Sequence, residues 1–199
     1  MFRWVSLPLL LACLSCQPGE PDYQVMSPDE IAHFKEQGAL RSGEVMSALM
    51  SQLNQALTAK GPAGALDFCS TRALRMTDSL AHRDPAVDIK RVSRKTRNPL
   101  NSPDRAEQRA LEIMHSHADV GGDVPSELMQ KYRRGQRTIV RYYRPIRMGA
   151  TCLACHGNPA DFSPDLSQAL EKIYPSDQAV GYGLGELRGL LRVEFSLEN

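Results

Sequence analysis

The chain has 199 residues, with 24 Lys and Arg against 23 Asp and Glu. That is enough for one ordinary buried core and too little for two comfortable domains. A formal charge of +1 announces no polyanionic partner, and five cysteines, two of them near the start, leave little for a disulfide framework.

In chain order, residues 1–16, MFRWVSLPLLLACLSC, carry one basic residue (Arg3), an apolar run from Trp4 to Ala12 and no acid, the pattern of a secretory signal. The run is far short of the roughly 20 residues that span a bilayer, and no later stretch comes close. A small residue ahead of a cysteine makes the segment similar to a bacterial lipoprotein signal, in which that cysteine is lipidated. Leu10-Leu11-Ala12-Cys13 is the better local match. Cys16 permits a longer apolar core and leads straight into QPGEPD, so Cys16 is the favoured lipidation site, residues 17–27 a tether and 28–199 a single domain. Neither cysteine is followed by Asp, which by resemblance to Gram-negative sorting rules implies a periplasmic protein anchored by lipid to the outer membrane. Loss of Arg3 with the leader brings the formal charge from +1 to 0. Export also argues against nucleic acid as the partner of the basic runs KRVSRKTR (90–97) and KYRRGQRTIVRYYRPIR (131–147). They read as a solvated face, or as arginines that pair carboxylates bidentately.

Residues 28–59 open with a Ser/Asp cap before Glu30 and repeat apolar residues at Val45, Leu49, Leu53 and Leu57, predicting a helix interrupted near Gly38 to Gly43. After the breaker GPAG, Ala65 to Leu80 predict a second helix with an inward stripe of Leu66, Cys69, Ala73, Met76 and Leu80. VDIKRVS (87–93) alternates as a strand, RNPLNSPD is a turn, and Asp104 caps a helix through about His117. GGDVP breaks the chain before the strand RTIVRYYRPI (137–146), which runs into a loop carrying TCLACHG. Residues 165–173 predict a short helix, and GELRGLLRVEFSL a turn and a terminal strand. This interleaving predicts an α+β domain, a small antiparallel sheet with helices to one side.

The Cys-x-x-Cys-His at 152–156 suits haem c. Two thiols three positions apart add to the two vinyl groups while the adjacent imidazole reaches the iron. Cys152 and Cys155 would carry the thioethers and His156 the proximal bond. A zinc half-site would need a second ligand pair, and a thioredoxin-like redox pair a different context. For the other axial position the chain offers His33, His82, His115 and His117, methionines such as Met76, Met114 and Met148, and the one leftover thiol, Cys69. A thiolate binds iron strongly, yet a buried inert cysteine would look the same in sequence. Arg97 and Arg144 are candidate partners of haem propionates; alternatively both are structural, with Arg97 fixing its turn through backbone carbonyls.

Four blocks, FCSTRA, RVSRKTRNPLNSPDRAEQRAL, YYRPIRMGATCLACHG and IYPSDQAVGYGLGELRGLLRVEFS, resemble those of a bacterial family once filed as a domain of unknown function and now recognised as single-haem c-type domains. The resemblance spans about residues 64–196. It implies a PAS-like fold, with the sheet and flanking helices following an N-terminal helical segment, and one covalently attached haem c with His/Cys axial ligation. By position the ligands are His156 and Cys69, the latter from a helix upstream. A thiolate stabilises ferric iron and lowers the potential relative to His/Met ligation. The expected function is therefore a redox or small-ligand haem sensor module, with a low-potential periplasmic electron carrier as the alternative. Cys69 closing the iron argues against an enzyme such as a peroxidase. Either role needs a separate redox partner or signalling protein. In the sensor reading Met76, two turns beyond Cys69, would replace it on reduction, or leave the position empty.

Overall fold

The computed structural model describes residues 20–81 and 83–198. The expected leader with Cys13 and Cys16, the start of the tether and His82 lie outside the described residues. Among the described residues five strands form one antiparallel sheet: β1 (Asp22–Tyr23), β2 (Val87–Val92), β3 (Leu128–Arg134), β4 (Arg137–Arg147) and β5 (Leu187–Leu197), in the order β1-β3-β4-β5-β2. The helices are α1 (Pro28–Asp67), α2 (Ala73–Ala81), α3 (Arg105–Asp119), α4 (Ala150–His156) and α5 (Pro164–Ile173). This is the expected α+β, PAS-like arrangement with an N-terminal helical segment. No described helix is long and apolar enough to cross a membrane.

Local chemistry sets most boundaries. Ser27 and Glu30 form a reciprocal capping box at the start of α1, as Asp104 and Glu107 do for α3, each satisfying two backbone N–H groups that a helix end leaves unpaired. The interruption expected near Gly38 to Gly43 is absent, and α1 runs through both glycines. Gly38 serves close approach instead: a Cβ there would stand 2.2 Å from Cγ of Tyr142 on β4. The break comes at the GPAG segment, where Gly61 adopts φ 65° and ψ −178° ahead of Pro62. Proline supplies no N–H and disfavours helical geometry in the residue before it.

Two strands went unrecognised in the sequence. β3 buries only Gln130 and Tyr132 between charged neighbours, so its alternation is hard to see. It pairs with β4 across a two-residue turn whose Gly135 has φ 65°, the backbone such tight hairpins favour. β1 pairs Asp22 and Tyr23 with Arg133 and Tyr132, placing part of the expected tether on the sheet edge.

Helices cover both faces of the sheet, where one side was expected. On one face α1 and α2 pack Phe34, Val45, Leu49 and Ala73 against Ile89, Val140, Leu191 and Val193. On the other, α3 packs Ala110, Leu111 and Met114 against Val92, Tyr143 and Leu190. Two-sided cover explains why the middle of β4 and most of β5 are buried in unbroken runs rather than alternately. Under α3 the sheet also carries an ion network. Arg141 donates to Asp104 (2.9 and 2.7 Å) and to Glu194 (2.7 Å), and Arg192 to Glu194 (2.7 Å) and Asp88. Arg141 is only 1% exposed, so this part of the 131–147 run is not a solvated face. Burial works against ionisation of Asp104, but the hydrogen bonds from Arg141 and the Glu107 N–H outweigh it and hold the carboxyl down at about 2.

Candidate functional site

β4 ends in a bulge: Ile146 pairs with Gly189 and Arg147 with Leu187, leaving Arg188 as the extra residue. Such bulges bend a strand and re-aim a side chain. Here β4 turns into Met148 and Gly149, and residues 150–156 form α4, a helix where a loop was expected. Cys152 and Cys155 thus lie three residues apart on a helical turn, with His156 at its last position.

The imidazole of His156 is fixed from behind. Its Nδ1 lies 2.6 Å from the carbonyl oxygen of Ala179. A carbonyl can only accept, so Nδ1 carries the proton and Nε2 keeps its lone pair, the arrangement that a metal-binding histidine needs. Burial, then the charges of Arg97 and Arg188, pull its pKa down to about 3, so the ring is neutral at ordinary pH.

Arg97 builds this arrangement. Only 8% exposed, it donates from Nε to Asp177 (2.9 Å) and from Nη2 to the carbonyls of Cys155 (2.6 Å) and Ala179 (3.3 Å). It therefore ties α4 to the segment whose carbonyl orients His156. These bonds match the structural reading of Arg97 and leave Nε and Nη2 committed to protein acceptors rather than to a propionate. Arg144, the other expected propionate partner, is exposed, reaches Gly43 of α1, and is not among the residues lining the cavity described next.

One cavity brings together residues far apart in sequence. Cys69, Arg97, Cys152, Cys155 and His156 all line it, and Met46, Leu49, Met50, Leu53 and Leu57 of α1 supply an apolar wall. Cys69, Cys152 and Cys155, the cysteines among the described residues, are free and half-buried. Cys69 sits on a π-helical turn, Phe68–Arg72, between α1 and α2. Burial pushes its thiol up, against the opposing charges of Arg91 and Arg97. A π turn inserts roughly one residue into the helical register, which breaks the seven-residue relation between Cys69 and Met76. Met76 packs against the core under α1 and α2, and the methionines that line the cavity are Met46, Met50 and Met148.

The remaining candidates lie elsewhere. His33 is exposed and stacks edge-on against Phe34 at 5.0 Å, His117 is exposed on α3, His115 lines a separate polar cleft beside α3, and Met114 is in the α3 core. Among the described residues no three His, Cys, Asp or Glu side chains gather about one metal position, so the zinc reading gains no second ligand pair. The donor set suits haem c: two thiols at the required spacing, a neutral imidazole with a free Nε2, a further thiol on the same cavity and an apolar wall for a flat ring.

Sequence reasoning overlooked two arginines that line the cavity, Arg91 and Arg188. Arg188 is the bulged residue of β5, and its Nη1 donates to Ser93 Oγ (2.5 Å) and the Lys95 carbonyl (2.9 Å). Arg91 follows Val87 and Ile89 on the inward face of β2. A cation at an inward position of VDIKRVS was the available signal.

The family model described as Tll0287-like (Tll0287) matches residues 24–196. Among solved structures, one described as the crystal structure of the cyanobacterial heme-protein Tll0287 matches with a TM-score of 0.53 at 22% identity, covering 87% of this chain and 99% of that one. No curated protein matches.

Proposed function

The chain belongs to the Tll0287-like family, and from that membership and the composition of the cavity we propose that it binds one haem c covalently through Cys152 and Cys155, with His156 and Cys69 as axial ligands, and acts as a redox or small-ligand haem sensor module. The observation that carries the reading is the meeting of Cys69 with Cys152, Cys155 and His156 on one cavity. The solved relative is itself described as a heme-protein, which supports the cofactor. Bound there, the iron would supply reversible one-electron chemistry tuned by its axial ligands.

The chain's own residues prepare for that ligation. Ala179 and Arg97 fix the tautomer and position of His156, and burial keeps the ring neutral. Cys69 is presented by a π turn, a helical register less regular than its flanks. A thiolate from such a turn is suited to ligation that changes with oxidation state, which supports the sensor reading over the electron carrier. The leader and Cys16 complete the proposal: an exported protein held by lipid at the outer membrane, working with a separate redox or signalling partner.

Haem staining of the denatured holoprotein tests the attachment: Cys152→Ala with Cys155→Ala is expected to abolish it, and staining that survives both changes refutes the thioethers. Ferric EPR and absorption spectra test the ligand, since Cys69→Ala is expected to remove the thiolate signature and raise the midpoint potential. An unchanged thiolate signature in the ferrous wild type would favour the carrier.

A further inference from the structure

Buried arginines in this fold have partners. Arg141 and Arg192 pair with Asp104, Asp88 and Glu194. Of the cavity-lining arginines, Arg97 holds Asp177 and two carbonyls, and Arg188 holds Ser93, the Lys95 carbonyl and the Tyr182 hydroxyl. Arg91 differs: half-buried on β2, it lines the same cavity, and its side chain makes no hydrogen bond or ion pair with any described residue. Burial pulls its guanidinium below the ordinary value, and of the groups whose charge acts on it, Cys69, Tyr174 and Asp78, the only carboxylate is the weakest influence. A guanidinium drawn partly out of water with no protein acceptor is free to pair, and a carboxylate arriving in its fork would do so bidentately.

We propose that Arg91 is the carboxylate clamp of the cavity, pairing with a propionate of the bound haem, with Asn101 on the same lining as a second donor. The inference rests on the haem reading of the cavity. It transfers to β2 the role expected of Arg97 and Arg144. β2 brings Arg91 in on the same sheet face as Val87 and Ile89, the face that α1 and α2 cover. Asn101 closes the short turn Pro99–Asn101, and no hydrogen bond of its side chain is formed with a described residue. A planar guanidinium grips a carboxylate with two parallel N–H groups, which an ammonium cannot do.

The test uses full-length holoprotein carrying Arg91→Gln and Arg91→Lys, read by resonance Raman bands of the propionate bending modes and by midpoint potential. Arg91→Gln is expected to shift the propionate bands and lower the potential, because a cation that disfavours ferric iron is gone. Arg91→Lys is expected to restore the potential while leaving the bands shifted, since it returns the charge without the fork. It also serves if the neutral variant fails to fold. Propionate bands identical in wild type and Arg91→Lys overturn the clamp, as does a change confined to the ferric thiolate signature, which would assign Arg91 to Cys69. Covalent haem measured in the same samples separates this from the underlying reading: wild type without haem defeats the haem assignment, whereas haem present with unmoved bands defeats only the clamp.

Discussion

At the residue scale, the distinction that matters is between arginines that build the site and the one left over to bind. The sequence offers Arg97 either as a propionate partner or as a brace of its turn, and its Nε and Nη2 bonds to Asp177, Cys155 and Ala179 match the brace. Arg97→Gln is expected to destabilise the protein by roughly 1–3 kcal/mol, the range for leaving buried acceptors unsatisfied. Because the Ala179 carbonyl also orients His156, the same variant should broaden the axial-ligand spectrum of the holoprotein. Urea unfolding and ferric spectra on one preparation check both; normal stability with a changed spectrum would separate the brace from the ligand effect. Arg97→Lys should recover little, since one ammonium cannot serve three divergent acceptors.

At the scale of elements, Gly38 offers a test with opposite signs. Were it a helix interruption, Gly38→Ala would stabilise α1 by up to about 1 kcal/mol. Since a Cβ there meets the Tyr142 ring, the substitution is expected to destabilise by about 1–3 kcal/mol through overpacking, readable as a lower urea midpoint. The misjudgement at Gly38 has a general cause: a glycine required by a neighbouring element looks, in one dimension, the same as a glycine that breaks its own. The elements legible from sequence are those whose signals are local, among them the Asp104 cap of α3, the Gly61-Pro62 break, the alternation of β2, the β-branched and aromatic run of β4 and the terminal strand β5. β3 escaped because its partners, not its composition, make it a strand. The site divides the same way. Cys152, Cys155 and His156 are contiguous and announce themselves. That Cys69 shares their cavity follows from a resemblance and then from the fold. The π turn at Cys69 leaves no periodic trace, because one extra residue in a helix changes no residue type.

At the scale of the whole molecule, the ion network under α3 predicts how the protein meets acid. The carboxyl of Asp104 sits at about 2 when folded, against an ordinary 3.8, so the folded state binds fewer protons than the unfolded one. The stability this gives is complete above about pH 4 and lost as pH falls through about 2. Asp104→Asn keeps a capping side chain but removes the charge facing Arg141, so it should lower stability at pH 7 and flatten the acid limb of the stability curve. Denaturation midpoints of both proteins from pH 7 to pH 2 measure this; parallel curves would contradict it. The strand order carries a different consequence, one of timing. β5 follows the other strands in the chain yet lies between β4 and β2, so the strand leading to Cys152 and the strand bearing Arg91 have no hydrogen-bonded neighbour in common until β5 is made. Gly189 of β5 fits against β2 so closely that a Cβ would stand 2.2 Å from the Val92 carbonyl oxygen. Contacts this distant in sequence close slowly. Cys152 and Cys155 thus precede in the chain Arg188 and Gly189 of β5, which complete their cavity, and until β5 closes the thiols are accessible in an open pocket.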